Sequence, residues 1–311
     1  MTTLRAPGEP ASGALVFDRK AVRRHRERAA SGLERHDFLL SEIAERLADR
    51  LSDINRRFPI AVDLGCHTGT LGRILAGRGG VERLIEVDLA FAMARRAGSL
   101  AVVGDEEALP FASGSLDAVF SVLSLHWVND LPGALIQVRR ALKPDGLFLA
   151  ALLGGETLTE LRHCLIEAEL AEEQGASPRV SPFADLRDGA GLLQRAGFAL
   201  PVGDGDRLTV TYADALTLMR ELRGMGESNA TSERRRHCSR RRTMLAAAAA
   251  YQQRFALADG RIPATFEVIY LTGWAPAANQ QQPLQPGSAE VRLATALGTT
   301  EASAGDKAKP R

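Results

Sequence analysis

Three acidic residues close three successive apolar runs of this chain: Asp63 after Ile60-Ala61-Val62, Asp88 after LIEV, and Asp105 after LAVVG. A strand that ends in an acid and turns on glycine lets backbone approach a ligand. An acid closing the next strand can accept hydrogen bonds from both hydroxyls of a ribose. Gly65 and Gly69 supply the turn after Asp63, in the segment DLGCHTG. Any one of these acids alone reads as a helix cap or a turn former. Three at consecutive strand ends describe a nucleoside pocket.

Two cofactors compete for the glycine turn. A dinucleotide needs Gly-x-Gly-x-x-Gly so that backbone can meet a pyrophosphate, and in either alignment His67 stands where one of those glycines belongs. The loop of class I S-adenosylmethionine-dependent methyltransferases, acid-x-Gly-x-Gly-x-Gly, places Asp63, Gly65 and Gly69 correctly and again finds His67 at the middle glycine. That ligand has no pyrophosphate, so a side chain there does less harm. The segment GDEEALPF after the third strand favours it, because Asp105 or Glu106 can accept from an adenine amine while apolar neighbours flank the ring. The expected cofactor contacts are therefore Asp63, Gly65, His67, Gly69, Asp88, Asp105, Glu106 and Ser124, for S-adenosyl-L-methionine. The reactive end falls at Ser124, His126 and Trp127, beyond the fourth strand. His126 can orient or deprotonate a nucleophile, or simply pack and cap; Trp127 suits a pocket wall.

These residues need a parallel sheet to hold them. Strands are expected at 60–65, 83–88, 100–104, 116–123 and 146–154, with helices between them; the clearest helix spans 131–142 and ends at the turn Lys143-Pro144-Asp145-Gly146. A long helix from Glu156 to Glu173, a short helix ending at Gly197, a strand over 207–212, helical material from Asp214 to Leu257 and a last strand over 264–274 follow. The fold class is α/β: a doubly wound, mostly parallel, seven-stranded Rossmann-like sheet with a helical insertion at about 213–260 before the last strand. Residues 1–16 are expected to be a flexible tail, 17–276 the methyltransferase-like domain, and 277–311 a disordered tail rich in Gln, Pro, Gly, Ala and Ser. Gly224 and Gly226 in RGMGESN suit either a hinged lid or an ordinary helix cap.

Bulk composition narrows the class. A formal charge of +1 over 311 residues gives no global pull toward nucleic acid, and the six arginines of SERRRHCSRRR read first as a solvated helical face. The three cysteines form no CxxC pair and suit a reducing compartment. No apolar run reaches membrane-spanning length, which leaves peripheral attachment open. The six histidines make no pair with a nearby carboxylate around the strand ends, so no metal site is expected.

The blocks FDR (17–19), SLHWVNDLPGAL (124–135), the following VRRALKPDGLFLAALLGGETLTELR, then SPF (181–183), RGMGESN (223–229), TMLAAAAAY (243–251) and PATFEVIYLTGW (263–274) resemble the type 11 methyltransferases. They are most similar to the methyltransferase-like assembly factors of respiratory complex I, a family regarded as protein arginine hydroxylases. The resemblance implies a protein substrate, an iron–sulfur subunit of complex I, and a cytoplasmic site in a bacterium or the mitochondrial matrix in a eukaryote. That family keeps glycine where this chain has His67. Methyl transfer needs little beyond alignment of nucleophile, methyl and sulfur, whereas hydroxylation needs an oxidant. The residues offer a pocket but no oxygen-activating site; arginine hydroxylation is what the resemblance implies, beside methylation and a non-enzymatic assembly chaperone, with a nicotinamide-dependent oxidoreductase behind them.

Overall fold

The computed structural model describes residues 15–183, 186–281, 288 and 291–300. Most of the expected amino-terminal tail and much of the carboxy-terminal one lie outside those residues. Two units divide the chain, residues 1–276 and 277–311. In chain order the first holds α1 (Arg19–Ala29), α2 (Phe38–Ser52), β1 (Ala61–Leu64), α3 (Thr70–Leu75), β2 (Leu84–Asp88), α4 (Phe91–Ala94), β3 (Ala101–Val103), β4 (Leu116–Val122), α5 (Leu131–Ala141), β5 (Leu142–Leu153), α6 (Thr159–Glu173), α7 (Leu186–Arg195), β6 (Ala199–Tyr212), α8 (Ala215–Met225), α9 (Arg241–Phe255) and β7 (Ile262–Trp274). Within the second, the described residues include one helical turn, α10 (Leu293–Ala296).

The seven strands form one sheet in the order β3-β2-β1-β4-β5-β7-β6. Neighbours from β3 to β5 run parallel, while β7 runs antiparallel to both β5 and β6. Both faces are covered, so strand residues alternate between two apolar layers. Ala118, Phe120 and Val122 of β4 pack with Ile43 and Leu47 of α2 and Tyr251 of α9. Val119 of β4 and Phe148 of β5 meet Leu135 and Val138 of α5 and Leu193 of α7 on the other face. Parallel strands place the carboxyl ends of β1, β2 and β4 at one edge of the sheet, where ligands of such folds bind.

Four local expectations change. The turn at 143–146 lies inside β5: Asp145 adopts φ 63°, and the register with β4 jumps from Leu116↔Leu142 to Ala118↔Leu147, so the turn residues make a bulge that β5 continues through. β6 starts at Ala199 rather than 207, because β7 pairs with it along its length despite Pro201, Gly203 and Gly205. The helical insertion breaks in two. Gly226, at φ 88°, caps α8, and its N–H reaches the carbonyls of Leu222 and Arg223, so the helix-cap reading of RGMGESN is the observed one. The arginine run is a solvated face only in part: Arg236, Arg240, Arg241 and Arg242 are exposed, the last two in α9. Arg234 pairs with Asp18, and Arg235 with Glu169 and Glu173.

Candidate functional site

β1 ends at Leu64, and Gly65 (φ 80°) turns the chain beneath Ser124. A Cβ on Gly65 would lie 2.0 Å from Ser124 Oγ, so the glycine is required by protein packing as well as by φ. Gly65→Ala should cost about 3 kcal/mol or more, from left-handed strain plus overpacking. Urea denaturation checks this, and an unchanged midpoint would refute the turn geometry. Gly69 (φ 79°) begins α3, and a Cβ there would meet Glu86 at 2.6 Å.

His67 adopts φ 51°, a left-handed backbone that histidine tolerates better than most residues. Its N–H donates to Asp88 Oδ2 at 3.0 Å, and its ring is buried. Ring Nε2–H donates to the Leu123 carbonyl at 3.3 Å, which leaves Nδ1 as a lone-pair acceptor with no hydrogen-bond partner among the described residues. Burial and the charge of Arg26 push its pKa down, so the ring is neutral.

Asp88, at the end of β2, accepts from Ala90 N at 2.8 Å through Oδ1 and from His67 through Oδ2. Its further partner comes from outside the expected set. Arg26 of α1, 1% exposed, donates from Nη1 to Asp88 at 3.2 Å and to Glu106 Oε1 at 3.1 Å, and from Nη2 to Ser124 Oγ at 2.8 Å. Ser124 in turn donates to Glu106 at 2.6 Å. Arg19, about two turns earlier in the same helix, pairs with Asp105 at 2.6 Å and with Glu106. Burial alone would raise the Glu106 pKa. Arg26, Arg19 and the Ser124 hydroxyl overcome it and bring the carboxyl down to about 2. Asp88, Asp105, Glu106, Ser124 and His67 thus converge, joined by two arginines.

Asp63 lies beside this group without joining it. It is 1% exposed, its Oδ1 has no hydrogen-bond partner, and burial with Glu86 and Asp88 nearby raises its pKa well above the usual carboxylate range. His126 and Trp127 sit in a 3-10 turn, Leu125–Trp127, and share a second unforeseen residue. Glu227 Oε2 accepts from His126 Nε2 at 3.1 Å and from Trp127 Nε1 at 3.0 Å. Burial opposes ionisation of Glu227; the charge and hydrogen bond of His126 outweigh it and hold the carboxyl below its ordinary value.

A cavity of about 420 Å³ adjoins this turn. Leu33, Leu158, Leu161, Met219, Met225 and Phe266 give it an apolar wall, and His67, Trp127, Glu227 and Ser181 contribute its polar lining. α1 bridges the two regions. Beyond its arginines it is tied to the segment carrying Glu227, through Asp18 N to the Ala230 carbonyl at 2.8 Å, His25 Nδ1 to the Ser228 carbonyl at 3.0 Å, and Arg28 to Ser228 Oγ at 3.2 Å.

Residues 62–150 match the methyltransferase-domain family. The mitochondrial arginine-hydroxylase NDUFAF5 of Danio rerio is 43% identical over 289 residues, covering 91% of this chain and 89% of that protein. The chain belongs to the class I methyltransferase family. A malonyl-[acyl-carrier protein] O-methyltransferase of Laribacter hongkongensis is 38% identical over 292 residues, covering 88% of this chain and 95% of that one. The fold is shared with a putative methyltransferase of Bacillus halodurans, at TM-score 0.52 and 15% identity over 75% of this chain and 99% of that one. This is a methyltransferase-fold enzyme with the strand order of its class. Its functional edge carries Arg19, Arg26 and Glu227 beyond the residues the motifs pointed to. FDR and GESN contain the first and last of these; no motif contains Arg26.

Proposed function

We propose that this enzyme binds S-adenosyl-L-methionine at the carboxyl ends of β1 to β4 and modifies an arginine side chain of a protein partner held in the adjoining cavity. The observation that carries this is the position of His67, whose backbone bonds Asp88 while its ring lines the cavity. Cofactor and substrate side chain would meet there. The similarity to the arginine-hydroxylase over nine-tenths of the chain supports arginine as the target and, by kinship, an iron–sulfur subunit of complex I as the partner, in cytoplasm or mitochondrial matrix. Among the described residues no helix is long and apolar enough to cross a membrane.

The residues suit the cofactor in type. Asp63 Oδ1, buried with no partner, is an acceptor left over for the methionine ammonium. Asp88 would take the ribose hydroxyls, Asp105 and Glu106 the adenine amine, with Gly65, Gly69, His67 and Ser124 forming the floor. For this, Arg26 must leave Asp88. The cofactor, when bound, supplies a sulfonium electrophile. Trp127 and the leucine wall exclude water, and His126 positions Glu227 and the group facing it. Hydroxylation would draw on an oxidant supplied from outside these residues.

Titration calorimetry with S-adenosylmethionine and S-adenosylhomocysteine tests the reading. Micromolar binding by the wild type, weakened at least about tenfold in Asp88→Asn, is expected, since a lost charge-assisted hydrogen bond is worth roughly 1.5–3 kcal/mol. Mass spectrometry of the partner subunit after incubation then separates a methyl from an oxygen increment. A second reading, a non-enzymatic assembly chaperone, is favoured by one observation: the nucleoside acids are already paired with arginines of the same chain. No cofactor binding by the wild type, with partner assembly intact in Asp88→Asn, would establish that reading instead.

A further inference from the structure

Leucines, methionines and phenylalanines make much of the cavity wall, yet an ionised carboxylate faces it. Both donors that reach Glu227, His126 Nε2 and Trp127 Nε1, bond Oε2; Oε1 has no hydrogen-bond partner among the described residues. Glu227 is 13% exposed in its side chain, and the cavity lies against it. His67, 3% exposed, lines the same cavity and keeps Nδ1 unpaired, and Ser181, 4% exposed, does so with an unpaired Oγ. Buried acceptors are not left idle without cost. Of the other ionic groups of the lining, Arg179 pairs with Glu169 and His36 with Glu221, while Arg223 is exposed to solvent. An unused carboxylate oxygen and an unused imidazole nitrogen over an apolar floor match one ligand chemistry, a multi-donor cation on a methylene stem. They do not match an anionic acyl group, whose carboxylate Glu227 would repel.

We propose that Glu227 is the residue that reads the positive charge of the substrate side chain, its free oxygen and His67 Nδ1 accepting from a guanidinium whose stem lies along Leu33, Leu158 and Met225. This rests on the reading that the cavity receives a protein side chain. It adds the residue that makes the choice, a specificity role assigned by geometry. Glu227 also ties the charge-reading site to Trp127, so that occupancy changes the environment of the indole N–H.

The test uses the full chain and two small probes of equal shape, n-butylguanidinium and neutral n-butylurea, with binding followed by calorimetry and by the Trp127 indole N–H resonance. The wild type should bind the guanidinium about tenfold or more tightly over the urea, as charge-assisted hydrogen bonding dictates. Glu227→Gln, which keeps an oxygen acceptor for His126 and Trp127, should bring the two within about twofold while leaving S-adenosylhomocysteine affinity unchanged. Equal binding of both probes by the wild type, or an undiminished preference in Glu227→Gln, overturns the role of Glu227 and leaves the cavity reading standing. Binding of neither probe overturns both. Should the variant fail to fold, the wild type decides alone: a Trp127 resonance that moves with the guanidinium and not with the urea supports the assignment, and one that is indifferent to both refutes it.

Discussion

Replacing Arg26 with methionine should lower the melting temperature by about 10 °C at neutral pH. The guanidinium is fully buried and holds Asp88, Glu106 and Ser124 together. Removing one partner of a buried ion pair strands the other charges and costs roughly 3–5 kcal/mol. At about 2–4 °C per kcal/mol for a domain of this size, a drop of that order follows. The carboxylates carry part of this in a pH-dependent form. Arg26, together with Arg19 and Ser124, brings Glu106 from an ordinary 4.5 to about 2 in the folded chain, a difference worth about 3 kcal/mol in all, of which Arg26 supplies a part. Because the folded value is depressed, this stability is complete above the unfolded value and is lost as the pH falls from about 4.5 toward 2. The gap between wild type and Arg26→Met should therefore narrow as the pH drops below 4.5. Thermal melts from pH 7 to pH 3 check both the size and the closing. An Arg26→Met chain as stable as the wild type would mean that α1 does not sit on these acids in solution.

Asp63→Asn should move stability and ligand binding in opposite directions. Burial, with Glu86 and Asp88 adding repulsion, raises the folded Asp63 pKa. The unfolded carboxyl ionises near its usual 3.9, so each step of pH above that value favours the unfolded chain until the folded value is passed. Asparagine has nearly the same shape and no charge to bury, so the variant should gain about 1–2 kcal/mol at neutral pH, with the gain vanishing below pH 4. The same change removes the negative charge of the acceptor assigned to the methionine ammonium and should weaken S-adenosylmethionine binding by about tenfold or more. Melting curves and calorimetry on one preparation test the pair. A destabilised variant would show that Asp63 is charged and satisfied in the fold.

The parts of this architecture that announce themselves are local. Asp63, Gly65 and Gly69 fall within seven residues, and their order around a strand end leaves few backbones that satisfy them. Asp88 closes a strand whose apolar period is equally visible. Arg26 is different. Helix α1 lies in a charged stretch, and nothing near position 26 marks a guanidinium that crosses to residues 62 and 80 positions away. Glu227 sat inside a recognised block, GESN, but its meaning depends on His126 and Trp127, about a hundred residues earlier. β6 was only partly legible because Pro201, Gly203 and Gly205 carry poor strand propensity; pairing with β7 supplies what the local sequence lacks. The break after α8 was hidden by a run of arginines that suits a helix, whereas Asp18, Glu169 and Glu173 draw those arginines into an irregular segment.

Helix α1 has one set of side chains, Arg19 and Arg26, on Asp88 and Glu106 and another, His25 and Arg28, on Ser228 beside Glu227. A helix held along two of its faces couples what it touches on each. Whatever factor a bound nucleoside imposes on guanidinium affinity, the guanidinium must impose on nucleoside affinity in the same measure, because the two paths close one thermodynamic square. Either ligand can then arrive first without altering the free energy of the doubly occupied state.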